Sequence, residues 1–115
     1  MLVKPTVTPS NNTMPKINTM PKINNLRPGP NKRVKDRTPT IAATVKDAET
    51  NLRKRHIVLV VDGKKKSRFS YNRSTDRLKF TPREKLKAGR YHRVKIVARD
   101  PRGPNKARTW KFKVR

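Results

Sequence analysis

His56, His92, seven carboxylates and no cysteine are this chain's whole supply of groups for acid–base, thiol or metal chemistry. Their spacing assembles none of those sites. The two histidines form neither an i, i+2 pair nor an HExxH motif, and no third donor stands close by. Ser70 and Ser74 have no histidine at motif spacing, and the four glycines serve turns rather than a phosphate-cradling loop. Asp36, Asp47, Glu49, Asp62, Asp76, Glu84 and Asp100 fall mainly at turn positions, where an aspartate caps its own backbone. Asp47 and Glu49 with Asp100 are the one grouping that calcium would use, and the surrounding cations argue against it. The expectation is a non-enzymatic protein with no metal site and no cofactor.

The strong chemical signal is positive charge. Thirty-two lysines and arginines against seven acidic residues give a formal net charge of +25, where a small soluble domain usually carries a magnitude of about 2–8. Such a surface gains on meeting polyanions, whether nucleic acid, anionic lipid or an anionic wall polymer. Two groups of residues are the candidates. Arg93, Lys95, Arg99, Lys111, Lys113 and Arg115 alternate with apolar residues along two segments, so they share an outer face if those segments pair. Like charges opposite each other on a sheet repel, and an anionic counterpart relieves that cost. Lys64, Lys65, Lys66 and Arg68 form a second group at an expected hairpin tip, beside Phe69 and Tyr71. Basic residues next to aromatic ones suit the stacking of single-stranded bases. The competing reading is that Phe69 or Tyr71 packs in the core and the cations only keep the module soluble.

The elements that position these residues are strands. Thr109 to Arg115 alternates strictly, with Trp110, Phe112 and Val114 on one side and Lys111, Lys113 and Arg115 on the other. His92 to Arg99 repeats the pattern, with His92, Val94, Ile96 and Ala98 inward. Ile57, Leu59 and Val61 are expected to face the core ahead of the Asp62-Gly63 turn signal, and Val58, Val60 and Val97 to be exposed. Lys22–Leu26, Thr40–Val45, Arg68–Tyr71 and Leu78–Phe80 complete the set, with Val34 in a short continuation. Single helical turns are allowed at Asp47–Asn51 and at Arg83–Lys87, the latter carrying Leu86. About seven strands at 8–12-residue spacing is the sequence form of a β-sandwich. Asp100 to Asn105 is the expected last hairpin turn.

Residues 1–20 read as a disordered Asn/Thr/Pro-rich tail ahead of a single domain over 21–115. Asn12-Thr13-Met14-Pro15-Lys16-Ile17 recurs as residues 18–23, a duplication too short for a solenoid unit. The first residues lack the apolar run of a signal peptide, and Ile57–Val61 is far shorter than the roughly 20 residues of a membrane span.

Residues 22–115 resemble the bacterial immunoglobulin-like repeats of surface and secreted proteins. The likeness runs through Thr38–Asp47, Leu59-Val60-Val61-Asp62-Gly63, Leu78-Lys79-Phe80-Thr81-Pro82, Leu86–Gly89, His92–Asp100 and Trp110–Val114. It implies an immunoglobulin-like Greek-key β-sandwich used as a structural or adhesive unit. It also implies a cell-envelope or extracellular location, often within a larger multidomain protein. This chain departs from the pattern in carrying Lys and Arg where such repeats place Thr and Ser, and in a Pro101-Arg102-Gly103-Pro104-Asn105 turn. With the basic surface, the partner expected is an anionic polymer. The alternative is sequence-nonspecific nucleic-acid binding.

Overall fold

The computed structural model describes residues 21–47, 52–100 and 105–115. Among them are nine strands in two sheets and no α-helix. The strands are β1 (Lys22–Arg27), β2 (Arg33–Val34), β3 (Ile41–Lys46), β4 (Ile57–Val61), β5 (Lys64–Lys66), β6 (Ser70–Asn72), β7 (Arg77–Phe80), β8 (Arg90–Ala98) and β9 (Lys106–Val114). One sheet has the order β1-β3-β7-β6 and the other β2-β9-β8-β4-β5. All pairings are antiparallel except that of β2 with β9.

Two-residue periodicity places the core between the sheets. Trp110, Phe112 and Val114 are buried with Val94, Ile96 and Ala98 from β8 and Ile57, Leu59 and Val61 from β4. Ile41, Ala43, Val45 and Leu78 face them from the other sheet. Phe69 is buried and Tyr71 half-buried against the same core. Burying an indole is stable only if its N–H finds an acceptor. Trp110 donates from Nε1 to the Pro28 carbonyl at 2.9 Å, beside a cis Arg27–Pro28 peptide. Tyr71 donates its hydroxyl to the Val45 carbonyl at 2.6 Å and to Asp76 Oδ1 at 3.3 Å.

Several expectations change in detail. The sandwich has nine strands rather than about seven, because two short edge strands close the five-stranded sheet. Arg33–Val34 lies parallel to Lys113–Val114, and Lys64–Lys66 is itself strand β5. The hairpin tip is therefore Asp62-Gly63 alone, with φ of 51° and 80°. These positive values suit a two-residue turn that keeps the strands' natural twist. Arg83–Lys87 forms no helical turn; it is an irregular connection that bends at Arg83-Glu84. Among the described residues the single 3₁₀ turn is Lys54–His56. Val58, Val60 and Val97 are half-buried by their neighbours rather than exposed. The tail, most of the Asp47–Asn51 loop, and residues 101–104 of the last turn lie outside the described residues.

Candidate functional site

Residues paired across a sheet point to the same side, so the register alone maps the outer face of the five-stranded sheet. Arg33 pairs with Lys113 and Lys113 with Tyr91. One row away, Lys111 pairs with Arg93. Lys65, Val60, Lys95 and Thr109 form the next row, and Val58, Val97 and Ala107 a fourth, which is apolar. Strands about 4.8 Å apart and same-face residues about 7 Å apart make this a basic lattice at one end of the face. None of the five strands contains an Asp or Glu.

Tyr91 sits inside that lattice. It is 44% exposed, the one large hydrophobic side chain so exposed among the described residues. Lys111 Nζ lies 4.7 Å from its ring centroid and Lys113 Nζ 5.7 Å. The ring face attracts both ammonium groups and orders them over the sheet.

The opposite sheet contrasts with this. Its outer rows mix Asn24, Thr44 and Asn72 with Lys22, Lys46, Lys79 and Arg77. Arg77 is committed internally, donating from Nη1 to the Asn25 carbonyl at 2.7 Å and to Thr44 Oγ1 at 3.1 Å.

The expected basic residues divide into two places. Arg93, Lys95, Lys111, Lys113 and Lys65 come together on the outer face. Arg99 and Arg115 continue it just past the strand ends, their amides donating to the His56 and Val34 carbonyls at 2.7 and 2.9 Å. Lys64 and Lys66 pair with the core-facing Val61 and Leu59, so they point the other way. With Arg68 they line an open cleft of ≈ 520 Å³ beside the β7–β8 connection. Arg33 and Tyr91 were not picked out from the sequence. Tyr91 had a usable signal, because it shares parity with Arg93 and Lys95. Arg33 had none, since a two-residue strand has no periodicity to read.

The histidines serve the scaffold. His92 is 3% exposed, with Nδ1 2.6 Å from Asp62 Oδ2 and Nε2 2.8 Å from the Lys87 carbonyl. Asp62 Oδ1 also accepts from the Arg93 amide at 2.9 Å. This clamp ties the β4–β5 turn to the start of β8 and to the connection before it. His56 Nδ1 accepts from the Arg53 amide at 3.0 Å. Desolvation, with Arg55 and Arg53 adding repulsion, holds its pKa below the ordinary 6.5. Among the described residues no three His, Cys, Asp or Glu groups gather as metal ligands. No helix among them is long and apolar enough to cross a membrane. Comparison with protein-family models finds no match, and comparison with curated proteins finds none either.

Proposed function

We propose that this chain is a non-enzymatic immunoglobulin-like module, structural or adhesive, that holds a cell-envelope or secreted protein to an anionic polymer. The observation that carries the reading is the outer face of the five-stranded sheet. Six cations from β2, β5, β8 and β9 (Arg33, Lys65, Arg93, Lys95, Lys111 and Lys113) stand there with no carboxylate in those strands. A flat cationic lattice engages many charges of a chain at once while demanding no particular sequence of it, so affinity comes from avidity.

The immunoglobulin-like assignment is supported by strand order. With β2 as A′ and the other eight strands as A, B, C, C′, D, E, F and G, the sheets read A-B-E-D and A′-G-F-C-C′. The bond from His92, near the start of strand F, to the carbonyl of Lys87 parallels the corner contact that a tyrosine makes in many such sandwiches. Both ring nitrogens of His92 are occupied by scaffold oxygens, which weighs against a general-base role.

The test is retention on purified cell walls at ~150 mM salt, with duplex DNA as the competing ligand. Retention on the walls, lost when Arg93, Lys111 and Lys113 are changed to Glu, supports the proposal. DNA binding at that salt with no wall retention overturns it in favour of a nucleic-acid-binding protein. One observation favours that second reading: Tyr91 is an exposed ring between lysines, the arrangement on which single-stranded bases stack. Tyr91→Ala separates the two, because it weakens binding to a base-bearing strand and leaves binding to a wall polymer nearly unchanged.

A further inference from the structure

We infer that the cleft between β5 and the β7–β8 connection is a separate site for a small phosphate-bearing ligand, a phosphorylated sugar being the class it fits. One wall carries Lys64, Lys66 and Arg68, and the other carries Arg83 and Lys85. Phe80 and Leu86 lie between them as an apolar floor. The volume, ≈ 520 Å³, is well beyond a single phosphate and within the range of small-molecule pockets. Sugar rings present C–H faces to an apolar floor, while their phosphates need cationic donors.

The backbone of both walls is pinned, so the five cations spring from fixed positions around the cleft. On the Arg83–Lys85 side, the Leu86 amide donates to the Arg37 carbonyl at 2.7 Å and Arg37 Nε donates to the Leu86 carbonyl at 2.8 Å. The Lys87 carbonyl is held by His92, and the hydroxyls of Thr81 and Thr40 lie 2.9 Å apart. On the other side, β5 is registered on β4 and its turn is clamped through Asp62. The side chains of Lys64, Arg68, Arg83 and Lys85 are exposed and can lean apart, but their fixed roots keep five like charges around one cleft. Asp62 and Glu84 also line the cleft, but Asp62 is occupied by His92 and the Arg93 amide. Converging cations between low-dielectric walls focus the field on the space between them, and a counter-anion of two or more charges relieves it.

Lys65 lines the cleft and also stands on the outer face. The other residues of the two sites differ, so variants at Lys64 and Arg68 and at Lys111 and Lys113 make the two proposals fail separately. The experiment is ¹⁵N-correlated NMR of the full chain titrated with glucose 1-phosphate, with glucose as control. The expected result is saturable shifts confined to the amides of residues 64–68, 81 and 83–86, absent with glucose. Lys64→Gln with Arg68→Gln weakens this binding roughly tenfold or more, whereas Lys111→Gln with Lys113→Gln leaves it unchanged. A dispersed spectrum in each variant shows that the fold is kept. No saturable shift at millimolar ligand, or shifts centred on Tyr91, Arg93 and Lys111, overturns the inference.

Discussion

Changing Lys111 and Lys113 to Gln removes two of the six charges on the outer lattice and both cations that sit on the Tyr91 ring. The consequence for binding is a change of salt dependence, because each cation that neutralises a phosphate releases a counterion. For a flexible polyanion each contact contributes about −0.7 to the slope of log K against log salt, so six give about −4 and four about −3. Between about 50 and about 200 mM salt, affinity then falls roughly 300-fold for the wild type and roughly 50-fold for the variant. Fluorescence anisotropy of a labelled linear polyphosphate, titrated at four or five salt concentrations, reads both slopes directly. Lys22→Gln with Lys46→Gln, a paired set on the opposite sheet, is the matched control and keeps the wild-type slope. If that control flattens the slope as much as the Lys111/Lys113 variant does, the polymer meets net charge rather than one face, and the reasoning fails.

Other outcomes concern the scaffold. Trp110→Ala removes a buried indole and orphans the Pro28 carbonyl, costing about 3–5 kcal/mol in urea unfolding; a loss below about 1 kcal/mol would mean the ring is not a core anchor. The Tyr71 pKa is pushed up to about 12, first by burial and then by Asp76. The folded chain therefore resists losing this proton, and that stability is whole below pH 10 and lost as pH rises toward about 12. Tyr71→Phe should flatten the unfolding midpoint over that window, and an unchanged alkaline slope would contradict the assignment. For His56 the sign is opposite. Its folded pKa lies below the ordinary 6.5, so the unfolded chain takes the proton first as pH falls. The contribution is whole above pH 6.5 and declines below it. Urea midpoints of wild type and His56→Gln should converge as pH drops from about 7.5 to about 5.5, and parallel curves would refute the shift.

How legible was this molecule in its residues? The long strands were plain. Alternation over Trp110, Phe112 and Val114, and over His92, Val94, Ile96 and Ala98, is enforced by the pleat, since a one-residue slip turns the whole greasy set to water. Asp62-Gly63 was readable because few residue pairs accept two consecutive positive φ angles. The short edge strands were not readable. Lys64–Lys66 has no alternation and looks like a solvated tip; it is a strand only because β4 supplies a ladder, and lysines are what protects an open edge. Arg83–Lys87 has helical composition, yet hydrogen bonds with Arg37 and His92 hold it as an irregular connection. Arg108 shows where period-two reasoning overreaches. It pairs with the buried Ile96, yet it remains exposed, with its guanidinium 3.5 Å from the Ile23 carbonyl at the end of the sandwich. The basic face was half legible. Parity gave its β8 and β9 members, whereas the split between face and cleft depends on which side of the sheet Lys64, Lys65 and Lys66 take, and only pairing decides that.

The central claim is that one face of this sandwich receives a polyanion. Lysine-selective acetylation with mass spectrometry, in the presence and absence of a linear polyphosphate at ~150 mM salt, tests it residue by residue. The account predicts protection of Lys95, Lys111 and Lys113, with Lys22, Lys46 and Lys79 labelled as fast as in the free protein. Equal protection of both sets, or protection of the second set alone, contradicts it.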